Sequence, residues 1–286
     1  MVGRYRVIER VGAGGMGVVY KAIDLQLGRD VALKLLASPM IGDSSCSMMC
    51  ALLLNEARVM ARLSHPNLMT VYDVGEHDGC VFLAMEYIRG TTLRRWAAAP
   101  DRSWRDRLEI LLEAGNGLAD AHRAGVVHRD FKPDNVLVSD NGRVLVGDFG
   151  LARSAAEWQK LGSGPRCCGG AEQTGALIAA TARSGTPAYM ALEQQIGGTV
   201  DERSDQFAFA VSAWELTFGA LPFAPGEPDR RLAALAEGPP AVRDPRDATE
   251  PISPILSRAL AANPGARYPA LTDLLSRLRV AARPDR

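Results

Sequence analysis

Two short segments carry side chains that are hard to explain as packing. In the first, His128-Arg129-Asp130-Phe131-Lys132-Pro133-Asp134-Asn135, a carboxylate, an ammonium group and an amide oxygen follow one another at Asp130, Lys132 and Asn135. Moving a phosphoryl group asks little covalent work of a protein. It asks for a carboxylate at the attacking hydroxyl, a cation near the transferring group and oxygen donors on a metal ion. The second segment, Asp148-Phe149-Gly150, adds another carboxylate for the metal, beside a glycine that permits an unusual turn. Each residue alone reads as a loop or capping group. Both segments, in this order and spacing, are a poor fit to structural background.

Other motifs are weaker singly. Gly12-Ala13-Gly14-Gly15-Met16-Gly17 would let a backbone approach phosphates and present N–H groups to them. A dinucleotide-binding turn has the same spacing, but there the last glycine opens a helix. Here Val18-Val19-Tyr20 follows and continues as a strand. The pattern therefore favours a phosphate-covering hairpin, with a plain glycine-rich turn between strands as an equal alternative on this motif alone. Lys34, in Val31-Ala32-Leu33-Lys34, is either a snorkelling surface lysine or a phosphate ligand held by a carboxylate. Glu56, on the helical stripe that carries Met60, is the candidate partner, and otherwise an exposed helical glutamate.

These groups need elements to position them. Tyr5 to Ile8, Val18 to Ala22 and Val31 to Leu35 read as strands. Leu53, Glu56, Ala57, Met60 and Leu63 recur at helical spacing, and the helix stops before His65-Pro66-Asn67. Two further strands are expected over 68–74 and 80–86, with 75–79 as their turn. After Gly90 the pattern becomes helical: Leu108 to His122 is a long amphipathic helix, 204–218 a buried one and 271–281 another. The stretch 154–184, rich in Gly, Ala, Ser and Thr, reads as a long mobile loop. The expected fold class is α+β, with a small β-rich lobe over 1–88 and a larger helical lobe over 89–286.

Taken together, the motifs resemble the signature set of eukaryotic-type protein kinases, in particular the serine/threonine kinases of that type found in bacteria. The resemblance covers nearly the whole chain, as one kinase domain over 5–278 with an activation segment over 148–193. It implies a bilobal kinase fold and transfer of the ATP γ-phosphoryl group to Ser or Thr of proteins. Asp130 would be the catalytic base or hydroxyl-orienting group. Lys132 and Thr186 would act beside it, Lys34 would bind phosphate and pair with Glu56, and Asn135 and Asp148 would hold Mg2+, with Mn2+ as an alternative ion. Val11, Gly12, Gly14 and Gly17 would cover the nucleotide, and Val19 and Ala32 would face Leu137 across the adenine. Met85 would be the gatekeeper, with backbone groups of Glu86 and Ile88 on the adenine edge. Val71, Met60, Phe149 and His128 would stack as a spine.

The same resemblance gives Arg129 an anionic partner, a phosphorylated residue within 163–184, with Thr181 ahead of Thr174 and Ser184. Self-association for phosphorylation in trans follows as an expectation. Two departures from the family pattern touch no catalytic atom. Leu192 replaces a proline, leaving Glu193 to pair with Arg267. Ala210 replaces a glycine, while Asp205 can still cap the backbone of the catalytic loop. The chain is also longer than usual around 162–175.

Bulk properties agree. Lys+Arg and Asp+Glu are both 33, so the net charge of zero argues against nucleic acid as a partner. No apolar stretch reaches membrane-spanning length. Cys46, Cys50, Cys80, Cys167 and Cys168 show no metal-ligand spacing, which suggests a reducing, cytoplasmic compartment. His122 and Trp214 read as packing residues. The rival readings are an ATP-binding pseudokinase or scaffold, and a small-molecule kinase of related fold. The first predicts a lost ligand and the second lacks a Gly-Thr-Pro-Ala-Tyr segment, which this chain has at 185–189.

Overall fold

The computed structural model describes residues 1–14, 17–36, 54, 57–78, 80–149, 187–224, 226–239 and 251–283. They fall into two compact units, one built from 1–64 and 69–89, the other from His65–Leu68, Gly90–Phe149 and the chain after 187.

In the first unit β1 (Tyr5–Gly14), β2 (Gly17–Asp24), β3 (Arg29–Leu36), β4 (Val71–His77) and β5 (Cys80–Glu86) form an antiparallel sheet in the order β1-β2-β3-β5-β4. Side chains alternate across the pleat, so each strand feeds two cores. One face gathers Val2, Tyr5, Ala22, Val31, Leu33, Phe82 and Ala84. The other gathers Leu36, Ala57, Val81, Leu83 and Met85, with Leu54 and Met60 against it. Residues 57–60 are helical, within the stretch where the sequence predicts a helix. The expected turn over 75–79 is shorter than the pattern suggested. Gly75 and Glu76 are paired strand residues opposite Phe82 and Val81. Gly75 is glycine because a Cβ there would lie 2.6 Å from the Phe82 ring. Leu68 belongs to the other unit, where it bridges to Val146.

The second unit begins with β6 (Gly90–Thr92), α1 (Leu93–Ala97) and α2 (Trp104–Arg123). Ser103 caps α2 in a reciprocal box with Asp106, so the helix starts a turn earlier than its apolar stripe. β7 (Val136–Ser139) and β8 (Val144–Val146) pair with β6 in the order β6-β7-β8. α3 (Leu192–Gln195), α4 (Glu202–Phe218), α5 (Pro228–Glu237), α6 (Ser253–Ala259) and α7 (Leu271–Ala281) complete it. α4 is buried on nearly every side, Trp214 included, as its even apolar distribution predicts. α2 presses against it through Gly115, where a Cβ would meet Phe209 at 2.9 Å and Leu275 of α7 at 2.5 Å.

Candidate active site

The loop between α2 and β7 is shaped by its backbone partners. Asp205, near the start of α4 and 1% exposed, accepts from the amides of His128 at 2.6 Å and Arg129 at 2.7 Å. It also accepts from His122 Nε2 at 2.8 Å. The cap expected of Asp205 is therefore present despite Ala210. His122 is more than the packing residue its sequence position suggested, because it steadies that cap. Arg129 takes a φ of 68° and Asp148 one of 51°. Left-handed backbone costs an L-residue roughly 1–2 kcal/mol, so both ends of the motif store strain that the cap and its neighbours must hold.

His128 is fully buried, and its ring has one consistent protonation. Nδ1 accepts from the Asp130 amide at 3.3 Å, and Nε2 faces the Gly147 carbonyl at 2.9 Å, which can only accept. The ring is thus neutral with its proton on Nε2. Burial, outweighing nearby Asp205, pushes its pKa below the ordinary histidine value. Phe149 lies over it with centroids 4.5 Å apart, and Phe131 meets it edge-on at 5.7 Å.

Around Asp130 the sequence-predicted groups meet. Lys132 Nζ donates to Asp130 Oδ2 at 2.8 Å. Asn135 Nδ2 donates to the Asp130 carbonyl at 2.7 Å and to Oδ2 at 3.2 Å. Those bonds fix which way the amide faces and turn Asn135 Oδ1 away from Asp130 as an oxygen donor. Gly147, preceding Asp148, donates its amide to Asn135 O at 2.9 Å, which ties the two motif segments together. Oxygen donors from an amide and a carboxylate suit a hard divalent cation. Leu137 lies on β7, directly after these residues.

In the first unit, strand register brings the other predicted residues to one sheet face. Val19 is opposite Lys34, Ala32 opposite Met85, and Lys34 opposite Leu83. Lys34 is 5% exposed, which removes the snorkelling surface reading. The glycine segment is a hairpin, with Gly12 paired to Val19 and Gly14 to Gly17. Its glycines differ in cause. A Cβ on Gly17 would lie 2.0 Å from the Leu35 carbonyl, so the sheet itself demands glycine there. Gly12 has nothing within 4 Å, so packing does not require it. Val11 is 55% exposed. Glu86 donates its amide to Thr70 O at 2.9 Å, and Ile88 follows just beyond β5. Glu56 and Thr186 lie outside the described residues, as do Thr174, Thr181 and Ser184.

Sequence reasoning missed a polar cluster beside the loop. Arg94 of α1 donates to Asp134 Oδ2 and to Glu215 Oε1, each at 2.8 Å, and to the Tyr189 hydroxyl. Tyr189 in turn donates to Glu215 Oε2 at 2.5 Å. Burial pulls the Arg94 guanidinium down, and its bonds to Glu215, Asp134 and Tyr189 more than reverse this. Burial and the Glu215 bond raise Tyr189. Nothing in the local sequence marks Arg94, the second residue of α1, because its partners are distant in the chain. The Glu193–Arg267 pair expected at the end of the activation segment is present and bidentate, at 2.7 and 2.9 Å.

The chain resembles known proteins over most of its length. The protein kinase domain model matches residues 5–276. A probable serine/threonine-protein kinase, pknA2 of Bifidobacterium longum, is 38% identical over 77% of the chain and 27% of its own length. Serine/threonine-protein kinase pkn3 of Myxococcus xanthus is 37% identical over 92% of the chain and 47% of its own length. The chain thus spans less than half the length of these relatives. The crystal structure of the Mycobacterium tuberculosis PknI kinase domain superposes with a TM-score of 0.73 at 28% identity, covering 99% of this chain and 97% of that one. The fold is that of the protein kinases, whose members use ATP and a divalent metal. The chain belongs to the protein kinase family and is related over most of its length to the bacterial serine/threonine kinases.

Proposed function

We propose that this chain transfers the γ-phosphoryl group of ATP to serine or threonine hydroxyls of protein substrates. The observation that carries the reading is the convergence of Lys132 and Asn135 on the Asp130 carboxylate. Such a carboxylate is oriented by two neighbours, so it can align a substrate hydroxyl and accept its proton as the oxygen attacks. Lys132, 2.8 Å from Asp130, brings a positive charge to the position where the transferring group gains negative charge. Asn135 Oδ1 and Asp148 would hold Mg2+, the ion we favour. That ion would supply charge neutralisation on the phosphate oxygens.

Lys34 would take the α- and β-phosphates and pair with Glu56. Gly12 supports a nucleotide-covering role because the fold alone gives no reason for a glycine there. Val11, Gly14, Gly17, Val19, Ala32, Met85, Glu86, Ile88 and Leu137 complete the proposed nucleotide contacts. Thr186 would touch Asp130 and Lys132, a contact typical of kinases acting on serine and threonine. Activity would rise on phosphorylation within 163–184, in trans between copies of the chain. Unpaired Cys80 suits a reducing compartment such as the cytoplasm.

The test incubates purified chain with Mg2+ and labelled ATP beside an Asp130→Asn variant, mapping phosphate by mass spectrometry. Transfer to Ser and Thr should fall by about 10³-fold or more in the variant, with ATP binding retained. ATP binding without transfer in the unaltered chain would overturn the proposal.

A further inference from the structure

Two arginines of the helical unit are almost fully buried, and they are treated oppositely. Arg267, 2% exposed, places all five of its N–H groups: two on Glu193 and one each on the carbonyls of Arg203, Ala261 and Ala262. Arg231, on α5 and 4% exposed, makes one bond, from Nη2 to the Ala188 carbonyl at 2.9 Å. Its Nε and Nη1 are buried with no acceptor. Among the described residues no carboxylate is paired with it, and burial pushes its ionisation below the ordinary arginine value. Removing a guanidinium from water without an anion costs several kcal/mol, so this arrangement is a poor one for a side chain whose only task is packing. Hydrogen bonds from a guanidinium are strongest to oxyanions, and Nε and Nη1 leave three N–H groups of Arg231 for one.

Ala188 says where that oxyanion would come from. It lies in the turn Pro187–Tyr189, next to the tyrosine that is held by Arg94 and Glu215. We infer that Arg231 is an anion-binding subsite for a peptide seated on this turn, taking a carboxylate or phosphate oxyanion carried near the phosphorylated hydroxyl. This rests on reading 187–189 as the place where a substrate peptide lies. Two sources share the chemistry: an acidic or phosphorylated side chain of the substrate, and a phosphorylated residue of this chain's own 163–184 stretch. The substrate is the source we assign. Arg231 reaches the turn directly, through the Ala188 carbonyl.

The test measures binding, so it does not depend on transfer. Fluorescein-labelled serine peptides, with one Asp moved through the positions flanking the serine and Ala elsewhere, are titrated against the full chain carrying Asp130→Asn. That background cannot phosphorylate itself. At one or two positions Asp should tighten binding about tenfold over Ala, and Lys should not. Arg231→Gln should remove that preference while leaving the all-Ala peptide unchanged. The same preference lost in self-phosphorylated chain and restored by phosphatase would place the chain's own phosphate in the subsite.

No position favouring Asp, or a preference that survives Arg231→Gln, overturns the inference. Arg231→Met guards against a merely structural role: without an anion its melting temperature should hold or rise, and a fall of several degrees would count against the subsite. If peptides bind as described but no phosphoryl group is ever transferred, the kinase reading fails and the subsite stands.

Discussion

His128 shows how one buried side chain can serve both the strand of chemistry and the stability of the loop. Its neutral ring bridges the amide of Asp130 and the carbonyl of Gly147, the residue before Asp148. Protonation would place a second hydrogen on Nδ1, against the Asp130 N–H, and strand a charge in a site with no solvent. Its folded pKa lies below the ordinary 6.5, so the unfolded chain binds the proton more readily. Stability from this group is therefore complete above about pH 6.5 and drains away as pH falls below that value. Melting temperature should drop between pH 7 and 5. His128→Phe, which retains a ring against Phe149, should be less stable at pH 7 but lose less over the same interval. A variant with the unaltered pH slope would assign the titration to another group.

At the scale of elements, legibility followed the kind of force at work. Strands β2, β3 and β5 and helices α2, α4 and α7 were readable because burial imposes a period on the sequence. α5 and α6 were not, being short and opened by Pro228 and Pro254, which read as loop signals but here occupy first-turn positions. β6 to β8 are only three or four residues each and carry too little pattern. Gly75 was misread as a turn because the reason for it, the Phe82 ring, is a tertiary contact. The cluster of Asp130, Lys132 and Asn135 was legible from motif spacing, whereas the contacts of His122 and Arg94 were not, since their partners lie 83 and up to 121 positions away.

Gly117 on α2 is a test of the same distinction. By helix propensity alone, Gly117→Ala should stabilise by up to ~1 kcal/mol. A Cβ there would lie 2.5 Å from the Asn67 carbonyl oxygen. That oxygen accepts from Val146 N at 2.9 Å, and Asn67 Nδ2 donates to Val144 O at 2.9 Å, so β8 would move with it. Overpacking against backbone typically costs about 1–3 kcal/mol and should win. Urea denaturation is expected to show net destabilisation of roughly 1–2 kcal/mol; a gain would mean that the 65–68 segment yields freely.

Over the whole molecule, the net charge of zero means that no global field organises the chain, and charge acts through a few placed pairs. The Glu193–Arg267 pair ties together three parts of the helical unit. Arg267 bonds α3 through Glu193, α4 through the Arg203 carbonyl, and the segment after α6 through Ala261 and Ala262. Ser204 Oγ adds a bond to Glu193 Oε1 at 2.8 Å. Burial alone would raise the Glu193 pKa, but Arg267 overrides it and holds the carboxyl below its ordinary value. The pair therefore stabilises the fold above the usual glutamate range and loses that contribution as pH falls through the lowered folded value.

Breaking one side strands the other as a buried charge, so Arg267→Met should cost about 3–5 kcal/mol, and Glu193→Leu a similar amount. The double substitution removes both charges and should recover much of the loss. A urea cycle of the four proteins measures the coupling. Additive losses would mean that the carbonyl bonds of Arg267, not the ion pair, are what ties these parts of the helical unit together.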